Sequence, residues 1–261
     1  MSNQQTLVDV VKSEWIKFRT VRSSVMGVIV FIVLTIGLSG LIAWAIRSHW
    51  SQSSVADKLT FDPVSTSLAG ILFAQFAVGV IGVLFITSEY SSGSIRTTLT
   101  AVSNRVRLIT AKTIVLAASL IAVSEIVCFV TFELGQSIFK GVVPTASLGT
   151  ADVLRSVLLA GLYLTLLAIA CFALGLIVRH SAACISIFVS VLLIVPIIFA
   201  FLPQSWQDSY EKYLPSELGR SMMSPFPAAH HLGAWNACIL LLVYVAVIYG
   251  VGATMMVRRD A

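Results

Sequence analysis

Six long apolar stretches run along the chain and alternate with polar segments. Each has about the 20 residues that a helix needs to cross the roughly 30 Å hydrocarbon core of a bilayer. A spanning segment of this kind is helical because no water is present to satisfy open backbone groups. The pattern therefore predicts an all-α membrane protein with spans at 25–46, 68–87, 113–132, 157–178, 182–202 and 235–257.

The segment 88–112, between the second and third stretches, is polar and basic. Gly93 permits a sharp change of backbone direction, and the serines before it can cap a helix. The following residues, 94–101, predict a helix of one to two turns that lies across the membrane surface. Ile95 and Leu99 share one side of this helix, so we expect them to enter a hydrophobic cleft of a partner.

Two charges belong to the same region. Glu89 lies at the membrane boundary, where a carboxylate is most simply explained by pairing with Lys or Arg of a neighbouring segment. Arg96 faces either acidic groups on a partner or solvent.

The amino-terminal residues predict an amphipathic helix at 7–18. One face carries Leu7, Val8, Val11, Trp15 and Phe18, whereas Val10 and Ile16 interrupt the pattern. We expect this helix to lie in the interface with Trp15 at headgroup depth. The alternative is an ordinary basic flank that sets the topology. The chain is thus divided into a cytoplasmic amphipathic helix at 1–24 and a six-span domain at 25–261.

Composition supports a membrane protein, since 57% of the 261 residues are hydrophobic and 11% are charged. The mean hydropathy of +0.94 is high for a water-soluble domain of this length. Eleven of the 17 Lys and Arg residues fall on one side of the membrane if both termini are cytoplasmic, which favours that orientation. The net charge of +5 is therefore attributed to topology and to lipid headgroups, not to nucleic acid.

Polar groups inside the spans are candidates for function because they are costly in hydrocarbon. Glu125 lies near mid-depth of the third span. It either lines a translocation path or is a structural group that is paired inside the bundle or protonated. Gln75 is a second possible path residue, although a structural hydrogen bond across helices is the favoured explanation. The four cysteines fall inside spans and predict inert buried thiols.

Two further features concern the last two spans. Pro196 interrupts the fifth span and should bend it, either as a gate or as a fixed kink. The connection 203–233 is too apolar for a free linker, and its aromatic residues are suited to anchoring at the membrane interface. His230 and His231 are adjacent, so they cannot both face one metal from a helix, and no metal site is expected.

The run EYSSGSIRTTL at 89–99, followed by Arg105 and by Lys112, resembles the cytoplasmic coupling loop of ATP-binding-cassette (ABC) permeases of the type-2 exporter class. The preceding SEWIKFR at 13–19 is similar to the start of the amphipathic elbow helix in that family. Six spans, a length near 260 residues and cytoplasmic termini agree with it over essentially the whole chain.

The resemblance implies a membrane half-transporter that pairs with a second permease, itself or a related chain, and with two separate ATPase subunits. It assigns ATPase coupling to Glu89, Tyr90, Gly93, Ile95, Arg96, Leu99 and Arg105. It assigns the elbow helix to Trp15, Lys17 and Arg19. The connection between the last two spans resembles the short re-entrant helices at the outer mouth of these exporters.

No G-x-x-x-x-G-K-[ST] phosphate loop occurs in the sequence. We therefore expect this chain to be no enzyme and to bind no cofactor, with ATP and Mg held by the partner ATPase. The expected function is export of an amphipathic or hydrophobic compound across a bacterial plasma membrane. The alternative is a sensor or scaffold subunit that contacts an ATPase without transporting anything.

Overall fold

Helices make up most of the computed structural model, which describes residues 6–102, 104–226 and 231–258. His230, which the sequence analysis names, lies outside this part, as does Arg259, one of the eleven basic residues counted there. The helices are α1 (Leu7–Thr20), α2 (Arg22–His49), α3 (Val55–Leu59), α4 (Pro63–Ser67), α5 (Ile71–Ser91), α6 (Ser94–Ala101), α7 (Arg105–Phe139), α8 (Ala151–Val178), α9 (Ser181–Val189), α10 (Val195–Ala200), α11 (Gln204–Tyr210), α12 (Pro215–Met223) and α13 (Ala234–Arg258). No strand occurs among the described residues.

Among the described residues, six helical segments are long and apolar enough to cross a bilayer, which confirms the predicted all-α architecture with six spans. They are α2, α5, α7, α8, the continuous segment formed by α9 and α10, and α13. Each overlaps one of the six apolar stretches. The short helices α11 and α12 occupy the connection between the fifth and sixth spans, as expected.

The third span is much longer than predicted. α7 has 35 residues, which corresponds to about 52 Å at 1.5 Å per residue, whereas the bilayer core is about 30 Å thick. It begins at Arg105 rather than at 113, and α5 continues to Ser91. The polar connection is therefore only 92–104, not 88–112, because charged residues at both ends of it belong to helices.

α8 is the most buried of the six spans and packs against α5, α7 and α13. Small residues allow the close approach to α5. A Cβ added to Gly82 would lie 2.1 Å from the backbone oxygen of Ala168 on α8. One added to Gly79 would lie 2.0 Å from the ring of Phe188 on α9. These glycines therefore hold the second span against the fourth and fifth within one chain.

The fifth span changes its helical form where Pro196 was expected to interrupt it. A π-helical segment, Ser190–Ile194, separates α9 from α10, and Pro196 occupies the first turn of α10. Proline has no amide hydrogen to donate and its ring crowds the preceding turn, so the wider π turn takes up the resulting misfit.

The two ends of the bundle carry different elements. α1, α6 and the carboxyl end of α13 share one end, which we call the α6 end. The contact between Arg105 and the main chain of Met256 places α13 there. α4 and α12 lie at the opposite end, where the amide of Gln136 on α7 donates to Pro63 and Ser67 and α12 covers α8.

Candidate functional site

Four charged side chains meet at the α6 end and form what we call the charge cluster: Glu14, Lys17, Glu89 and Lys112. The ammonium of Lys112 lies 2.7 Å from Oε2 of Glu14 and 2.7 Å from Oε1 of Glu89. The ammonium of Lys17 lies 2.9 Å from Oε1 of Glu14 and 3.1 Å from Oε1 of Glu89. Two carboxylates thus face two ammonium groups, which joins α1, α5 and α7.

The centre of the charge cluster is removed from solvent. Lys112 and Glu14 are each 1% exposed, and the Lys112 ammonium also lies 5.1 Å from the centroid of the Phe85 ring. A buried charge is tolerated only when an opposite charge and hydrogen bonds replace its lost hydration. Each of these two buried charges is therefore compensated in part by the other.

Lys17 forms the outer edge of the charge cluster, with 37% of its side chain exposed. Partial burial alone would lower the pKa of Lys17, but its hydrogen bond to Glu14 and the charges of Glu14 and Glu89 outweigh that effect and raise the pKa. Its ammonium also reaches the hydroxyl of Thr98 at 3.5 Å. This contact connects α6 to the charge cluster.

Gly93 sets the direction of α6. It has φ = +71°, a left-handed conformation that costs other residues energy because of their Cβ atom. α5 ends at Ser91 and α6 begins at Ser94, so the chain turns between the two helices within two residues. The prediction of a sharp turn at Gly93 and of a short helix after it is confirmed.

The two faces of α6 differ from the expected ones. Ile95 is 4% exposed and belongs to the chain's own core, and Leu99 packs partly against that core. The expectation that both enter a cleft of a partner is therefore wrong for Ile95, because its apolar surface is already covered. The outward face is polar and carries Arg96, Thr97 and Thr100.

A groove of about 640 Å³ separates α6 from α1. Asp9, Ser13 and Lys17 contribute to it from α1, and Thr97 and Thr98 contribute from α6. Its lining is mainly polar, so it forms a continuous hydrophilic surface together with the outward face of α6.

Arg105 and Tyr90, two further predicted coupling residues, make contacts inside the chain. The guanidinium of Arg105 donates to the backbone oxygen of Met256 at 3.0 Å, which attaches α7 to the end of α13. The guanidinium of Arg179, at the end of α8, lies 5.2 Å from the ring centroid of Tyr90, an arrangement favourable for a cation–π contact. Both residues connect helices beneath α6.

α1 has an amphipathic arrangement, but its buried face is not the predicted one. Val10, Glu14 and Phe18 are four residues apart and point into the protein. Val10, which interrupts the predicted pattern, is therefore a core residue, and Leu7 and Val8 are exposed. Trp15 and Arg19 are also exposed; headgroup depth for Trp15 stays a prediction.

The two possible path residues have different environments. The hydroxyl of Tyr163 on α8 donates to Oε1 of Gln75 at 2.6 Å, and the Gln75 amide donates to the Leu72 carbonyl. Gln75 therefore forms the expected hydrogen bond across helices. Glu125 packs against Gly161 of α8, and its Oε2 is buried without a hydrogen-bond partner among the described residues. No basic partner for that oxygen is found in this part of the chain.

The cysteines are buried free thiols. Within the described residues, no group of three or more His, Cys, Asp or Glu side chains is placed to hold a metal ion.

Glu14 is the important site residue that sequence reasoning passed over. It stands in the sequence four residues after Val10 and four before Phe18, which puts a carboxylate on an otherwise apolar helix face. That placement is a usable signal for a buried ion pair. The identity of the partner, Lys112, was not accessible because it lies 98 residues away.

The sequence of the chain matches the model of a known protein family. A sequence model described as ABC-2 family transporter protein matches residues 10–197, more than half of the chain. The chain belongs to the ABC-2 transporter family. The matched region of this ABC-2 permease contains all four residues of the charge cluster and α6. No curated protein sequence matches it closely enough to count as a relative.

Membership makes this ABC-2 permease a multi-pass membrane component of a transporter, and it implies association with ABC ATPase subunits. The matched region ends inside α10. α11, α12 and α13 lie beyond it.

Proposed function

We propose that this chain is the permease subunit of an ATP-driven exporter and that the outward face of α6 receives the ATPase. In this proposal two ATPase subunits hold the ATP and Mg, and two permeases, identical or related, form the membrane part. Both termini then lie in the cytoplasm, in a bacterial plasma membrane. The cargo is an amphipathic or hydrophobic compound.

The observation that carries the proposal is the charge cluster beneath α6. α6 follows α5 and precedes α7, and Lys112 binds Glu89 of α5 while Lys17 reaches both Glu89 and Thr98. A load applied to α6 therefore reaches α1, α5 and α7 through the main chain and through the contact of Thr98 with Lys17, which is itself joined to the ion pairs of the charge cluster. A surface loop without such attachment would move alone.

The polar outward face of α6 is the appropriate contact surface for a soluble partner. Arg96, Thr97 and Thr100 are exposed, and the groove beside α1 extends this surface. Ile95 holds α6 onto the bundle from the other side. The helix thus has one face for anchoring and one for docking, and substitutions can address them separately.

Three spans have surface available for a second permease or for lipid. In the most apolar parts of α2, of α9–α10 and of α13, about a fifth of the residues or fewer are buried. Glu125 is the remaining candidate for the translocation path, since one of its oxygens is buried without a hydrogen-bond partner in the described part of the chain.

The test is co-purification of the ATPase with the variant Arg96→Glu combined with Thr97→Trp. We expect loss of the ATPase from the complex with normal membrane insertion, because both changes lie on the exposed face. Lys140→Glu is the matched control, since it reverses an exposed charge just after α7, at the opposite end of the bundle. A double variant that retains the ATPase and its rate of ATP hydrolysis would contradict the assignment of α6.

A further inference from the structure

A cavity of about 420 Å³ lies at the end of the bundle opposite α6. It is bounded by the start of α5 on one side and by α12 on the other. Cavities that bind small molecules are typically about 300–1,000 Å³, so this one can hold a compound of modest size. The residues that α12 contributes lie beyond the region that the family model matches.

Glu217 places a buried carboxylate in the cavity wall. Its side chain is 4% exposed, and its Oε1 accepts from Arg220 at 3.2 Å, whereas the Arg220 side chain is 58% exposed. An ion pair with so exposed a cation is weakened by solvent. Glu211 also lines the cavity, so its wall carries two carboxylates and one guanidinium, an excess of negative charge.

The direction of the pKa shift of Glu217 indicates that its negative charge is only partly compensated by neighbouring positive charges. Burial raises the pKa of Glu217, the charge of Arg220 lowers it, the charge of Glu211 raises it and His231 lowers it. The net effect is a pKa above the ordinary value. A second cation beside Glu217 would stabilise its charged form.

Ser221 provides a second polar group in the same wall. It lines the cavity and is 8% exposed, and its hydroxyl has no hydrogen-bond partner among the described residues. Ser221 is four residues after Glu217 on α12, so the two side chains share one face of the helix. A buried hydroxyl without a partner is costly, which indicates a site for a ligand that hydrogen-bonds to it.

The rest of the lining is largely apolar. Leu68 and Leu72 contribute from the α5 side, and Met223 and Phe226 from α12 and the residues after it. α12 is held in place by packing, because a Cβ on Gly219 would lie 2.4 Å from the ring of Tyr163. The site therefore combines a preformed apolar wall with one anionic corner.

We propose that this cavity binds an ammonium group carried on an apolar chain, with Glu217 and Ser221 accepting hydrogen bonds from the ammonium. The same chemistry occurs in a free amphipathic amine and in a lipid with an ethanolamine headgroup. Binding does not depend on the proposed ATPase coupling, because the isolated permease contains the whole site.

The experiment measures binding of decylamine to the purified full-length chain in phosphatidylcholine nanodiscs by titration calorimetry, with protein-free nanodiscs as the blank. Decanol is the chain-matched neutral probe. We expect saturable binding of decylamine and none of decanol. Equal affinity for the two probes would overturn the proposal, since the charge of the ligand would then have no role.

Variants test the named contacts. Glu217→Gln should weaken binding about tenfold or more, the usual consequence of losing a charged hydrogen bond, and Ser221→Ala should weaken it several-fold without loss of thermal stability. Arg220→Gln should strengthen it, because the competing cation is removed. Glu133→Gln, an exposed carboxylate on α7, is the control and should change nothing. Unchanged affinity in both Ser221→Ala and Arg220→Gln would refute the site even if Glu217→Gln failed to fold.

Nanodiscs that contain phosphatidylethanolamine distinguish the two sources. If the lipid headgroup occupies the site, decylamine binds more weakly in these nanodiscs than in phosphatidylcholine, and Glu217→Gln abolishes the difference. If the occupant is a free amine, the affinity is the same in both lipids. Either result supports an ammonium site once decylamine has been shown to bind through Glu217.

Discussion

Replacement of Lys112 by Met tests whether the charge cluster holds the α6 end together. Methionine fills nearly the same space and is able to pack against the Phe85 ring, but it removes the ammonium. Glu14 and Glu89 are then left with Lys17 as their only partner in the charge cluster. Because Glu14 is buried, one negative charge stays uncompensated away from water.

The expected loss follows from the geometry. Removal of one member of a buried ion pair costs about 3–5 kcal/mol because the remaining charge is stranded. Lys17 offsets part of the stranded negative charge in this protein, so we expect a destabilisation near the lower limit of that range, about 3 kcal/mol. Lys17→Met removes a cation that is 37% exposed, and its expected cost is only about 0.5–1 kcal/mol, as for solvent-screened pairs.

The free energy of unfolding is measured by SDS titration of the purified chain in mild detergent, followed by tryptophan fluorescence. Lys12→Met serves as the control, because Lys12 is an exposed lysine on α1, the helix that carries Lys17. The double variant Lys112→Met with Glu14→Gln restores charge balance, with Lys17 and Glu89 left as a pair. It should be more stable than Lys112→Met alone by about 1 kcal/mol or more.

Two results would refute this reasoning. One is a loss of unfolding free energy for Lys112→Met that is no larger than the loss for Lys17→Met. The other is a double variant that is no more stable than Lys112→Met, since the stranded charge would then not be the cause of the damage.

Three other predictions address separate parts of the structure. Gly93→Ala should cost about 1 kcal/mol, because alanine is strained at φ = +71°; proteolysis within 92–104 should accelerate accordingly. Glu125→Gln should alter transport or its pH response if Glu125 lines the path, and a change in thermal stability alone would favour a structural role. Because the pKa of Glu217 is raised, its charge destabilises the fold as the pH rises through that pKa. Relative to Glu217→Gln, wild-type protein should therefore lose thermal stability above the ordinary value of 4.5 and show no difference below it.

The membrane spans were predictable because hydrophobicity is a local property. The last span was expected at 235–257, and α13 is Ala234–Arg258. The third was underestimated because charge counting ends a span at Lys112. The charge of that lysine is balanced by Glu14, from a helix 98 residues earlier in the chain. Long-range pairing of this kind makes a charge compatible with a buried helix, and the identity of the partner leaves no local pattern.

The candidate site was predictable in position but not in orientation. The sequence places a short helix after Gly93, and the structure has one there. Which side of that helix faces the bundle depends on how α1 and α7 pack beside it. Ile95 and Arg96 are neighbours in the sequence, and tertiary packing alone makes the first a core residue and the second an exposed one.

The length of α7 has a mechanical consequence. Lys112 and Gln136 are 24 residues apart on one uninterrupted helix, which spans about 36 Å at 1.5 Å per residue. Both residues therefore belong to one continuous hydrogen-bonded helix, which resists compression along its axis. α7 therefore links the charge cluster mechanically to the contacts of Gln136 with Pro63 and Ser67 at the opposite end of the bundle.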